Sequence, residues 1–129
     1  MKTIIINGRA IQDIPSFYRE INRAFMPGET WQLGDSLDAF DDLLYGSYGA
    51  IAGRERVRIV WQDFDQSKAA LGYETTRQFL LSKLEKPATY NVGVIRDQLD
   101  ALEEGRGQTY VQIVLTIFAD HENITLELR

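Results

Sequence analysis

The chain has no cysteine, a single histidine, and fewer basic than acidic residues, 14 against 19. Without cysteine, a disulfide scaffold, a zinc ribbon, an iron–sulfur site and a thiol nucleophile are excluded. The absence also fits a reducing compartment. The basic deficit, a net charge of −5, argues against a protein that lies along a nucleic-acid backbone, where a basic face is needed. Apolar runs are short. Ile4–Ile6 falls below the roughly seven residues of a signal-peptide core. The most apolar later stretch, Val111–Ala119, is broken by Gln112 and Thr116, and a bilayer span takes about 20 residues. No P-loop, no G-x-G-x-x-G and no G-x-S-x-G occurs. These absences lead us to expect a cytoplasmic protein that binds no cofactor, no nucleic acid and no membrane.

What is present reads as one globular domain over residues 1–129, since 44% of the residues are hydrophobic and 26% charged. The negative charge is local. No Lys or Arg occurs between Arg23 and Arg54, and that gap holds Glu29, Asp35, Asp38, Asp41 and Asp42. Removing those five from the 19 acids leaves 14, matched by the 14 bases. A patch of one sign focuses a field and steers a basic partner.

Residue patterning predicts strands separated by helices. Lys2–Ile6 reads as a strand, ended by Asn7-Gly8. Asp13-Ile14-Pro15 opens a helix, with Phe17, Ile21, Ala24 and Phe25 on one face. Gly34-Asp35-Ser36 opens a second, with Asp35 or Ser36 as N-cap. Its apolar face is Leu37, Phe40 and Leu44, and Asp35, Asp38 and Asp42 line the opposite face. Val57–Trp61 reads as a strand, Asp65–Leu71 as a helical turn, Glu74–Lys86 and Val94–Leu102 as helices, and Asn123–Leu128 as a final strand. Thr109–Asp120 suits helix or strand by composition, and its length favours helix. The fold class is therefore α/β, a small parallel sheet packed with helices.

The aspartates are the sharpest chemical feature. A magnesium site is one reading, because hard cations take carboxylate oxygens, and it would make the chain a metalloenzyme built on Asp35, Asp38 and Asp42. Acids in a first helical turn also complement the helix dipole. That accounts for Asp35 and Asp38 but not for Asp42, one turn further on. The third reading is an anionic face for a cationic site on another protein. Trp31, Tyr45 and Tyr48 flank the helix, and aromatics beside a charged patch are common in interface anchors. His121 reads as a structural residue at a helix end. Arg54, Arg56 and Arg58 read as the solvated edge of a strand.

Three blocks of this sequence resemble the barstar family of bacterial ribonuclease inhibitors. They are Lys2–Gly8 (KTIIING), Gly34–Gly46 (GDSLDAFDDLLYG) and Trp61–Lys68 (WQDFDQSK). The second is similar to the family's Gly-x-Asn-Leu-Asp-Ala-Leu-x-Asp-x-Leu signature, with Ser36 for the Asn and Phe40 for the second Leu. The third is similar to Trp-Arg-x-Phe-Glu-Gln-Ser-Lys. Thr109–Leu128 falls where the family's last helix and strand would lie.

The resemblance implies a barstar-like fold with a three-stranded parallel sheet. It also implies a non-enzymatic immunity or antitoxin protein that blocks the active site of a basic, guanyl-type ribonuclease, either extracellular in type or a toxin. Asp42 matches the family's anchor carboxylate, Asp38 a neighbouring acid, Gly46 the glycine ending the helix, and Asp120 an acid of the last helix. A further acid of that helix falls at neutral Thr116. Gln32, Asp41 and Ser47 stand where the family has aromatic contacts, for which Trp31, Tyr45 and Tyr48 are candidate replacements. Relative to the family, extra length falls at Gly49–Glu55 and, as one or two helices, at about 72–108. A regulatory module with the same fold and a non-ribonuclease partner is the alternative.

Overall fold

A run of β-branched residues forms the first strand, β1 (Lys2–Asn7), with Ile4 and Ile6 facing inward at the two-residue period of a pleated strand. The chain then makes a short 3-10 turn at Gly8–Ala10. Gly8 is required there, because a Cβ would lie 2.2 Å from the Gln62 carbonyl oxygen. The computed structural model describes residues 1–129. It continues with α1 (Ile14–Phe25), α2 (Leu37–Leu44), β2 (Val57–Gln62), α3 (Phe64–Ala70), α4 (Tyr73–Leu84), α5 (Val92–Glu103), α6 (Tyr110–Ala119) and β3 (Ile124–Leu128). Helix α1 starts at a capping box. The Ser16 amide donates to Asp13 Oδ1 at 2.8 Å, and the Asp13 amide donates to Ser16 Oγ at 2.9 Å.

The strands form one sheet in the order β1-β2-β3, parallel throughout, with Ile4 opposite Ile59 and Ile59 opposite Leu126. This is the expected α/β class. Its central strand corrects one expectation. Arg58 does not lie on a solvated edge strand, because β2 is paired on both sides. Val57, Ile59, Val60 and Trp61 are all buried, which suits the inner strand of a parallel sheet. Arg58 itself forks onto Glu127 of β3 at 2.5 and 2.8 Å. That guanidinium holds the Glu127 carboxyl below its ordinary pKa. Thr109–Asp120 resolves as helix, capped by Thr109 and Gln112 in a second capping box.

The main core comprises 22 buried residues around an aromatic centre. Phe17 stacks on Trp61 at 6.3 Å and meets Tyr18, Phe40 and Tyr110 edge-on. The hydroxyls of Tyr18 (α1) and Tyr110 (α6) share a hydrogen bond of 2.6 Å inside this core. Burial raises both phenols, Tyr110 to about 12, and the charge of Asp35 adds to the shift. A group whose folded pKa is raised contributes stability that is complete below the unfolded value, about 10 for tyrosine, and is lost as pH rises through the folded value. Two of the six tyrosines should therefore resist ionisation in an alkaline absorbance titration until the protein unfolds. Six freely titrating phenols would contradict the buried pair.

Helices α4 and α5 pack on each other around a separate small cluster, Leu80, Ile95, Leu99 and Leu102. No helix is long and apolar enough to cross a membrane.

Candidate functional site

Three contacts fix the segment that carries the acids. Buried Asn22 of α1 accepts from the Leu33 amide at 2.8 Å and donates to the Leu33 carbonyl at 3.3 Å, so the loop before α2 is clamped to α1. Ser36 caps α2 by accepting from the Ala39 amide at 3.3 Å. Phe40, Leu43 and Leu44 then bury the inner face of α2 in the core. With the inner face anchored, Asp38 and Asp42 stand exposed on the outer side, and neither forms an ion pair. Asp35 is exposed as well, one residue ahead of the cap and so outside the helix.

These carboxylates differ in what local structure explains. Asp38 lies in the first turn of α2, where the positive end of the dipole favours an acid. Asp42 lies toward the other end, where no basic residue offsets it. An unpaired acid near a helix C-terminus opposes the dipole. Its presence is not explained by the stability of the fold, and such positions are where function is expected.

Asp41 departs from the expectation of a free contact. One residue along a helix rotates by about 100°, and that turns Asp41 from the exposed row toward α6. There its Oδ1 lies 2.7 Å from His121 Nε2, and a carboxylate can only accept, so the ring donates. His121 is buried, and Tyr45 covers it edge-on at 4.7 Å. The lone histidine therefore ties the end of α6 to α2, which the sequence separation of 80 residues conceals. Asp41→Ala would leave the buried imidazole without its partner, at a cost of about 1–3 kcal/mol. We expect a fall of several degrees in thermal midpoint for Asp41→Ala and none for exposed Asp42→Ala.

The remaining candidates fall around this frame. Trp31, 45% exposed, meets Tyr48 edge-on at 4.8 Å. Burial, and then the charge of Asp42, raises the Tyr48 phenol, so Trp31, Tyr48 and Asp42 lie together at one end of α2. Tyr45, 62% exposed, is the C-cap residue at that same C-terminal end, and Gln32 and Ser47 are exposed and flank the helix. Gly46 adopts φ +84° with its carbonyl accepting from the Gly53 amide at 2.8 Å. A Cβ there would sit 2.2 Å from Gly53 O, so the absence of a side chain lets Gly46 fold the following loop back. Thr116 is exposed, but its hydroxyl already donates to the Gln112 carbonyl at 3.0 Å and accepts from Gln108 at 3.1 Å. Asp120 is exposed and lines a cleft of about 270 Å³ with Tyr45, Arg54, His121 and Glu122. Glu29, counted in the acidic segment, instead accepts from the Gly49 amide at 3.1 Å and braces the loop.

No group of three or more His, Asp or Glu side chains is arranged to hold a metal ion, so the geometry gives the magnesium reading no chelating set. What it offers is an anionic, aromatic-flanked helix face, preorganised and unpaired. The family model for Barstar (barnase inhibitor) matches residues 1–93. The chain belongs to the barstar family. The match runs from β1 into the start of α5 and so includes the whole of α2, whereas Thr116, Asp120 and His121 lie beyond it. A search of curated proteins finds no match. Barstar-family membership makes a ribonuclease-inhibitor type of activity the coarse assignment.

Proposed function

We propose that this barstar-family protein is a cytoplasmic immunity or antitoxin protein that binds a basic guanyl-type ribonuclease and blocks its active site with α2 and the preceding loop. The observation that carries this reading is the exposed, unpaired carboxylate pair Asp38 and Asp42 on a helix whose other face is locked into the core. A ribonuclease active site must hold a phosphate, so it presents cations. A carboxylate held rigidly at the right place substitutes for that phosphate without being cleavable. Preorganisation matters because the ordering of α2 is complete before binding. Asp42 is the central anchor in this reading and Asp38 its neighbour. Trp31, Tyr45 and Tyr48 supply the apolar contact that Gln32, Asp41 and Ser47 do not. The protein performs no chemistry of its own in this mechanism.

Electrostatic steering gives a direct test. Mixing the protein with a purified guanyl-specific bacterial ribonuclease in a stopped-flow instrument should show an association rate that falls steeply as salt rises. A rate indifferent to salt would contradict steering by this patch. If no ribonuclease is bound and a pull-down recovers only other proteins, the regulatory-module alternative is favoured, with the departures at Gln32, Asp41 and Ser47 as its cause.

A further inference from the structure

The α4–α5 pair stands beside the start of α2 and is joined to the body at Tyr110. The Tyr110 amide donates to the Thr76 hydroxyl at 2.8 Å, and Phe79 meets the Tyr110 ring at 5.3 Å. Between α2 and this pair runs a cleft of about 340 Å³, lined by Asp35, Asp38, Phe79, Lys83, Tyr90 and Tyr110. It carries opposite charges that do not meet. The Lys83 ammonium lies 4.3 Å from the centre of the Phe79 ring and 5.1 Å from that of Tyr90. It forms no ion pair, and neither do Asp35 and Asp38. The cation thus sits against two aromatic faces rather than on the carboxylates that share its cleft. Half-burial also pushes the Lys83 amine below its ordinary pKa, as expected for an ammonium short of water and without a counter-charge.

Unpaired opposite charges in one cleft match a ligand that carries the same pair in reverse. We propose that this cleft is a second contact site for the ribonuclease, taking a loop of that partner on which a basic and an acidic side chain stand next to one another. The basic group meets Asp35 and Asp38, and the acidic group meets Lys83. Asp38 belongs to both this cleft and the exposed face of α2, so the two contacts form one surface. A neighbouring cleft of about 230 Å³, lined in part by Leu37, Phe79, Leu80 and Ile113, extends it with apolar area for an aliphatic stem. The patch on α2 accepts basic surfaces in general. Lys83 penalises any that lack an acid at this place, which makes α4 a specificity element.

This inference rests on the ribonuclease-inhibitor reading, and its test separates the two. Inhibition of a purified guanyl-specific bacterial ribonuclease is titrated with the unaltered protein, Asp42→Ala, Lys83→Glu, Lys83→Gln and Tyr90→Ala, alongside thermal midpoints. Lys83→Glu should raise the inhibition constant by about tenfold or more, and Lys83→Gln by less, as expected for interfacial charge pairs. Tyr90→Ala should raise it by freeing the ammonium from its seat. The midpoint of Lys83→Gln should fall only slightly, because Lys83 has no ion-pair partner and loses only its contacts with the two rings. If Asp42→Ala loses inhibition while all three cleft variants inhibit as the unaltered protein does, the inference is overturned and the reading survives. If the unaltered protein does not inhibit, both fall. Self-association in sedimentation that Lys83→Glu abolishes would place a second copy of this chain in the cleft and also overturn the proposal.

Discussion

Asp42→Ala is expected to weaken the proposed complex with a ribonuclease by about 3–5 kcal/mol, several hundred-fold or more in Kd. The size follows from what the substitution leaves behind. In the free protein Asp42 is exposed and unpaired, so its removal costs the inhibitor nothing and even relieves a charge that opposes the α2 dipole. In the complex, the partner's cations would be buried with no counter-charge, and that stranded charge sets the loss. The effect should appear mainly as faster dissociation, with a smaller drop in the association rate. Asp38→Ala should act in the same direction and more weakly, because Asp38 is compensated by the helix start. Unchanged Kd values for both variants would move the interface off α2.

Phe40→Ala is expected to lower stability by about 3–5 kcal/mol, which for a chain of this size is more than 10 °C in thermal midpoint. Phe40 is fully buried and meets Phe17 at 5.6 Å and Phe118 at 5.1 Å, so it joins α2 to α1 and α6 at once. The cavity would open directly beneath Asp38 and Asp42. Affinity should fall as well, because α2 would lose the anchoring that preorganises it. Calorimetric unfolding checks the first effect and inhibition at a temperature well below the new midpoint checks the second. A midpoint within a few degrees of the unaltered protein would show that α2 is not held by this packing.

These two residues mark what could be read from sequence. Phe40 and the acids around it were legible because helical periodicity separates the two faces of α2, and the family-like block Gly34–Gly46 falls on the same residues. The strands, the six helices and the parallel sheet were legible for the same reason: local patterning and short connections constrain them. The rest depends on contacts between residues far apart. Asp41 reads as one more acid of the patch until His121, 80 residues later, is seen to hold it. Arg58 reads as an edge residue until Glu127 is found beside it on β3. The pairing of Lys83 with two rings in a cleft facing Asp38 needs the placement of α4 against α2, which no periodicity encodes. Trp31 and Tyr48 were legible only as flanking aromatics. Their edge-to-face contact beside Asp42 comes from the loop clamp at Asn22.

In the proposed mode of binding, α2 occupies a ribonuclease active site. That placement is tested most directly by measuring inhibition of a purified guanyl-specific bacterial ribonuclease at increasing substrate concentration. Inhibition at one protein per enzyme, relieved competitively by substrate, is expected, because carboxylate and phosphate seek the same cations. No inhibition, or inhibition that substrate does not relieve, would contradict it.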